Sequence, residues 1–246
     1  ILARGGCEFL FLHSQFAGQL PLLREAMPGL KGLVCIDAGL PGVPSLEAWA
    51  ARQSNTPSRS EARAEDVVAI RGTGGTTGLP KGVLITHRNY ATLFANWYAA
   101  MPVRERPVHL VVAPLSHAAG AVAFATCGYG GSNVILRSAD PAAIIDAIRR
   151  YRVTQLFLPP TAIYKLLAHP AVRDGDFSSL RYFVYSAAPM SVDRLREALD
   201  VFGPVMVQAY GQAEAPFVCT VMSAVVHARI VADPSREHLL ASCGRA

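Results

Sequence analysis

Charge is scarce in this sequence. Asp, Glu, Lys and Arg make up only 17% of the 246 residues, whereas 51% are hydrophobic. A chain so apolar is not disordered, because disorder needs charge to resist collapse. The 23 Lys and Arg outnumber the 18 Asp and Glu, for a formal charge of +5. They are scattered, as Arg24, Arg71, Arg149, Arg150 and Arg236 illustrate. No basic stripe forms, so no nucleic-acid partner is expected; the excess reads as an ordinary solvated surface with a slight anion preference. Gly, Pro or a charge interrupts every apolar run before the ~20 residues that a membrane helix needs. No integral membrane segment is therefore expected. The five cysteines are odd in number and widely spaced, with no C-x-x-C pair and no Cys/His cluster. That pattern argues against a disulfide framework and a zinc site, and favours free thiols in a reducing, cytoplasmic compartment. The opening residues carry no basic segment followed by an apolar one, so no secretory leader is read. No internal repeat is found.

What is present is an alternation. Short β-branched or aromatic runs at 8–12, 33–36, 67–70, 108–113, 133–136, 155–158, 182–186 and 205–208 read as strands. Several are apolar at nearly every position, which suits strands buried on both faces. Helical patterns lie between them. Asp140 reads as an N-cap with Pro141 at the first helical position, opening a helix to about Tyr151 with Ile144, Ile145 and Ile148 on one face. Ser191 caps a second helix over 192–202, and Thr86 a third over 87–100. Strand alternating with helix predicts an α/β fold with mostly parallel sheets flanked by helices. Residues 39–65, rich in Pro, Ser, Arg and Ala, read as a surface connection with one short amphipathic piece around Trp49. Both ends read as cut within a longer pattern.

The most informative segment is Thr73-Gly74-Gly75-Thr76-Thr77-Gly78-Leu79-Pro80-Lys81-Gly82, between the run at 67–70 and a strand-like 83–86. Its glycines let the backbone approach a ligand, and successive N–H groups in such a loop make an anion-binding nest. Thr73, Thr76 and Thr77 add hydroxyls and Lys81 adds a mobile positive charge, a set suited to a polyphosphate. It is not the phosphate loop of kinases and GTPases, which needs Gly-Lys-Ser/Thr in succession; here Leu79 and Pro80 separate Gly78 from Lys81.

This loop resembles the signature phosphate loop of the adenylate-forming superfamily: acyl- and aryl-CoA synthetases, luciferases and the adenylation domains of peptide synthetases. Gly74 replaces the usual Ser, which removes one hydroxyl and leaves the N–H donors. Pro114-Leu115-Ser116-His117-Ala118-Ala119-Gly120 is similar to the family's second core motif, whose His borders the acyl pocket. Tyr185-Ser186-Ala187-Ala188-Pro189-Met190 resembles the segment whose backbone lies against adenine. Tyr210-Gly211-Gln212-Ala213-Glu214 resembles Tyr-Gly-x-Thr-Glu, in which the ring stacks near adenine, the Thr touches phosphate and the Glu holds Mg²⁺. Ala213 departs from that pattern and cannot donate the hydroxyl bond, a loss on the order of 1 kcal/mol. The terminal Gly244-Arg245-Ala246 resembles the start of the next motif, and Phe157-Leu158-Pro159-Pro160-Thr161 is similar to the fatty acyl- and aryl-CoA synthetase branch.

The resemblance implies part of the family's large N-terminal adenylation domain, a layered αβαβα arrangement, over 1–246. The ribose-binding Asp and the small C-terminal lid domain would lie beyond Ala246, so the chain alone is expected to bind nucleotide weakly and turn over little. It implies ATP, Mg²⁺ and coenzyme A as cofactors, and a small-molecule carboxylic acid, fatty or aryl, as substrate. Lys81 and Glu214 are the implied catalytic residues, with Glu214 on the metal. Thr73, Gly74, Gly75, Thr76, Thr77, Gly78, Lys81, Ala187, Ala188, Pro189, Tyr210, Gly211, Gln212 and Ala213 would contact the nucleotide. His117, Ala119, Gly120 and Ala188 would line the acyl pocket, with Phe124, Ile163 and Leu166 as flanking residues or plain core. A homodimer is compatible with these readings. Transfer to a carrier-protein phosphopantetheine, and a noncatalytic nucleotide-binding module, stay open as alternatives.

Overall fold

A computed structural model describes residues 2–72 and 81–246. The glycine loop from Thr73 to Pro80 lies outside the described residues. The chain divides into two compact units, Ile1–His87 and Arg88–Ala246.

In the first unit, β1 (Phe9–Leu12) pairs in parallel with β2 (Gly32–Cys35), with α1 (Leu20–Ala26) between them in sequence. Leu12, Leu20, Cys35 and Val43 form its small core. The short helix α2 (Leu46–Ala50) sits where the piece around Trp49 was read, capped by Ser45, whose side chain accepts from the Ala48 N–H. β3 (Val67–Gly72) and β4 (Gly82–Thr86) pair antiparallel, with Gly72 opposite Gly82. The glycine loop therefore joins the two arms of a hairpin, where the sequence suggested only strand, loop and strand. β3 also departs from the expectation of strands buried on both faces, since Val67, Val68 and Ile70 are exposed.

The second unit carries the six-stranded sheet. After α3 (His87–Ala100) come β5 (Val108–Val111), α4 (Ala118–Gly128), β6 (Ser132–Ile135), α5 (Pro141–Tyr151), β7 (Gln155–Leu158), α6 (Pro160–Leu167), β8 (Tyr182–Tyr185), α7 (Val192–Phe202), β9 (Met206–Tyr210), β10 (Thr220–Met222) and α8 (Ala224–Val231). The strand order is β10-β9-β8-β7-β5-β6. All neighbours are parallel except β10, which runs antiparallel to β9. The central, mostly parallel sheet flanked by helices is the fold class that the alternation predicts.

Local chemistry explains the helices. Asp140 accepts from the Ala143 N–H at 2.9 Å, and Pro141 costs α5 no hydrogen bond because a first-turn N–H has no partner within the helix. Ser191 accepts from the Arg194 N–H at 3.4 Å to start α7, which stops at Gly203, φ 82°. The sheet is sandwiched by period-two alternation. Leu156, Leu158, Phe183 and Met206 pack on one face with Ile144 and Ile148 of α5, Ile163 and Leu166 of α6, and Leu195 of α7. Phe157, Val184 and Val207 pack on the other face with Leu93 and Trp97 of α3 and Val122 of α4. Each such large side chain removed from water contributes about 1.5–3 kcal/mol. Ile163 and Leu166 are thus core residues, while Phe124 is 63% exposed.

Candidate active site

Three of the segments singled out by sequence leave one edge of this sheet. β5, β7, β8 and β9 run parallel, so their carboxyl ends lie along the same side. The His117 segment follows β5, residues 186–189 follow β8, and Tyr210 closes β9. β5 has β6 on one side and β7 on the other, so the order of strands reverses there. In open α/β sheets the crevice outside the carboxyl ends, at such a reversal, is where ligands bind.

Behind β5 the sequence suggested a small-residue turn. The structure instead starts α4 directly after His117, in a helix with Ala119, Gly120, Ala121, Val122 and Ala125 all buried. Apolar all round, it shows no amphipathic period to betray it. The His117 N–H donates to the Pro114 carbonyl at 3.1 Å, and His117 itself is exposed with Nδ1 2.8 Å from Ser116 Oγ. Gly120 is required by packing, since a Cβ there would fall on the Leu115 carbonyl oxygen.

Behind β8 the backbone turns sharply. Ala187 has φ 74°, a conformation L-residues adopt at a cost of roughly 1–2 kcal/mol. Ala187, Ala188 and Pro189 are exposed, while Tyr185 before them and Met190 after them are buried. The Ser191 N–H donates to the Tyr164 hydroxyl at 2.9 Å, which fixes the exit of the turn. The result is a narrow exposed ledge of small side chains on a held backbone, a surface that a flat ring can approach.

β9 ends in a loop closed on itself. Tyr210 belongs to the strand and pairs with Thr220, two residues beyond the strand end expected from sequence. The Cys219 N–H donates to the Tyr210 carbonyl at 2.7 Å, and the Gln212 N–H to the Ala215 carbonyl at 3.1 Å. Phe217 and Val218 take φ 33° and 80° and are buried. The Phe217 ring stacks on Trp97 at 5.4 Å and meets Phe157 edge-on at 5.6 Å. This anchoring leaves Tyr210, Gln212 and Glu214 exposed along the rim. Phe217 was not singled out from sequence; its place three residues past Glu214, at the end of the marked segment, was the one available signal.

Among the described residues no group of three His, Cys, Asp or Glu could hold a metal. A closed all-protein cage is therefore not what the site offers. Glu214 makes no hydrogen bond or ion pair among the described residues, and its exposed carboxylate fits Mg²⁺, which takes one or two carboxylates together with substrate phosphates and water. In the other unit, Lys81 is exposed and immediately precedes β4. Thr73, Gly74, Gly75, Thr76, Thr77 and Gly78 lie outside the described residues.

Known proteins match this arrangement. The family model of the AMP-binding enzymes matches residues 1–246. The chain is 39% identical over 181 residues to a medium/long-chain-fatty-acid–CoA ligase of Mycobacterium tuberculosis, covering 74% of this chain and 30% of that protein. It is 37% identical over 153 residues to a feruloyl-CoA synthase of an Amycolatopsis species, covering 61% of this chain and 31% of that protein. Among solved structures, the amide bond synthetase McbA of Marinactinospora thermotolerans superposes with a TM-score of 0.80 at 29% identity, over 95% of this chain and 44% of that one. The chain thus spans less than half the length of these relatives. With a match along all its residues and relatives of the same kind in sequence and in structure, the chain belongs to the AMP-binding enzyme family of the adenylate-forming superfamily.

Proposed function

We propose that the protein activates a carboxylic acid with ATP and passes the acyl group to the thiol of coenzyme A. The observation that carries this reading is the convergence of the His117 segment, the 186–189 ledge and the Tyr210–Glu214 rim at the carboxyl ends of parallel strands. In the first step a carboxylate oxygen attacks the α-phosphorus of ATP. The P–O bond to pyrophosphate breaks, and acyl-AMP and pyrophosphate result. The nucleophile is already an anion, so the step needs charge stabilisation more than a base. In the second step the thiolate sulfur of coenzyme A attacks the acyl carbon, and AMP leaves.

Each residue set has a role in this scheme. Thr73, Gly74, Gly75, Thr76, Thr77, Gly78 and Lys81 bind the β- and γ-phosphates. Ala187, Ala188 and Pro189 offer the adenine a flat approach, and Tyr210 stacks beside it, with Gly211, Gln212 and Ala213 completing the rim. Glu214 holds Mg²⁺, which when bound neutralises the phosphate charge. His117, Ala119, Gly120 and Ala188 border the acyl pocket. The fatty-acid ligase and the feruloyl-CoA synthase among the relatives favour a fatty or aryl acid and coenzyme A as acceptor. Five free cysteines favour a reducing, cytoplasmic setting.

The test is to incubate the intact protein with Mg·ATP and a panel of fatty and aryl acids, with and without coenzyme A, and to identify products by mass spectrometry. The reading predicts acyl-AMP without coenzyme A and acyl-CoA plus AMP with it. Nucleotide binding with no acyl product from any acid would contradict it.

A further inference from the structure

The ledge at 186–189 and the rim at 210–214 leave adjacent strands, and a buried side chain on a third element holds the end of one of them, β8, just beneath the ledge. α8 carries His227, which is fully buried. Its Nδ1 lies 2.9 Å from the Ser223 carbonyl oxygen. A carbonyl only accepts, so Nδ1 carries a proton, and in the neutral ring Nε2 is bare. The Tyr185 hydroxyl stands 2.9 Å from Nε2 and must donate to it. Oε1 of Gln208, also an acceptor, lies 3.5 Å from the same hydroxyl oxygen; with the one hydroxyl proton given to Nε2, it takes at most a weak share of that proton. The Tyr185 and His227 rings meet edge-on at 5.8 Å.

The positions of these partners matter. Tyr185 is the last residue of β8, two before the positive-φ Ala187. Gln208 is in β9, two before Tyr210. Strained backbone persists only where its surroundings hold it. The Ser191–Tyr164 bond holds the far side of the ledge; on the near side, among the described residues, the Tyr185 hydroxyl has His227 as its acceptor at 2.9 Å. Burial lowers the pKa of His227, against a smaller opposing effect of its bond to Ser223, and burial raises that of Tyr185. Both rings are therefore neutral, which leaves Nε2 bare and makes the Tyr185 hydroxyl its donor.

We propose that His227 is a positioning residue: through the Tyr185 hydroxyl it fixes the end of β8, so that the ledge that follows is preorganised for a purine nucleotide. This rests on the acid-activation reading above. Its effect belongs to nucleotide affinity, because a ledge that must be ordered on binding weakens the complex.

Two variants test it. Tyr185→Phe removes the hydroxyl and leaves Nε2 unpaired in the interior. Tyr185→Phe/His227→Leu removes both polar groups, and such paired apolar replacement restores stability that a lone orphan loses. For Tyr185→Phe, the KM for ATP should rise roughly three- to tenfold with kcat within about twofold, on the scale of one neutral hydrogen bond. Backbone hydrogen–deuterium exchange should accelerate at 186–190 and stay unchanged at 141–151. The double variant should recover Tm but keep the raised KM and the fast local exchange. A double variant with wild-type KM, a single variant with unaltered exchange at 186–190, or a rise in exchange across the whole sheet would each overturn the proposal. Wild-type protein without acid-dependent turnover would overturn the function reading instead, and the exchange measurement would still decide whether His227 positions the end of β8.

Discussion

Gly211 stands against the backbone of Phe217, so that a Cβ on Gly211 would meet the Phe217 nitrogen at 2.5 Å and its Cα at 2.6 Å. The exposed rim carrying Gln212 and Glu214 is held against a buried aromatic anchor through that contact. The anchor is itself pinned between Trp97 and Phe157. Gly211→Ala must push either the rim outward or Phe217 off its stack. Overpacking of this kind costs about 1–3 kcal/mol. The variant is expected to melt several degrees lower and to show a higher KM for ATP. Unchanged melting and unchanged KM would mean that the loop adapts freely.

Ala187 supplies the opposite experiment. Alanine to glycine ordinarily destabilises, by about 0.4–1 kcal/mol through the freer unfolded chain. At φ 74° the alanine pays a conformational penalty that glycine does not. Ala187→Gly should therefore leave stability unchanged or raise it by up to about 1 kcal/mol, and Ala187→Val should lower it by more than about 1 kcal/mol. Thermal melts of the two variants check this; a clear loss with glycine would contradict the strained ledge.

His109 predicts an acid response. It lies in β5 with Asn133 of β6 and Gln155 of β7 in register on either side, and both its ring nitrogens lack partners among the described residues. Burial pushes its pKa down to about 3 from 6.5. The fold thus holds the ring neutral, while the unfolded chain takes up a proton once the pH falls below the unfolded value. Stability is fully present above that value and falls as the pH drops through it towards the folded one, by up to about 1.4 kcal/mol per pH unit from this group. Melting temperature should fall between pH 7 and pH 5, and His109→Leu should shrink that fall. An identical acid slope in the variant would remove His109 as its cause.

The sequence showed the elements that carry local punctuation. Asp140 with Pro141, and Ser191, marked α5 and α7 to the residue because their side chains cap the first-turn N–H groups. β7 was readable as a strand buried on both faces because its apolar run is short and unbroken. Three things were hidden. α4 is apolar on its exposed side as well, with Phe124 in water, and has no polar face to reveal a helical period. β10 is three residues long and is reached through Phe217 and Val218, whose positive φ angles come without the glycine or asparagine that usually announces such a turn. The Tyr185–His227 pair joins residues 42 apart in sequence, and nothing local in α8 distinguishes that histidine from a surface one. The candidate site was legible as motifs; that its segments converge on one sheet edge follows from the strand order β9-β8-β7-β5, which no local pattern encodes.

Glu214 offers the sharpest check on the metal role. Glu214→Gln keeps the size and exposure of the side chain and removes the charge. It is expected to preserve Tm within a degree, because the exposed carboxylate has no protein partner among the described residues, and to lower adenylate formation at least tenfold at limiting Mg²⁺, with partial recovery as Mg²⁺ rises. Equal rates for variant and wild type across the Mg²⁺ range would take Glu214 off the metal.

The central claim is that these strand ends bind ATP and join its AMP part to a carboxylic acid. Acid-dependent exchange of labelled pyrophosphate into ATP by the intact protein measures that step alone, before any thiol is involved. The account predicts exchange that requires both Mg²⁺ and a fatty or aryl acid and is abolished in the double variant Lys81→Ala/Glu214→Ala. Exchange that survives in the double variant, or none with any acid of the panel, would contradict it.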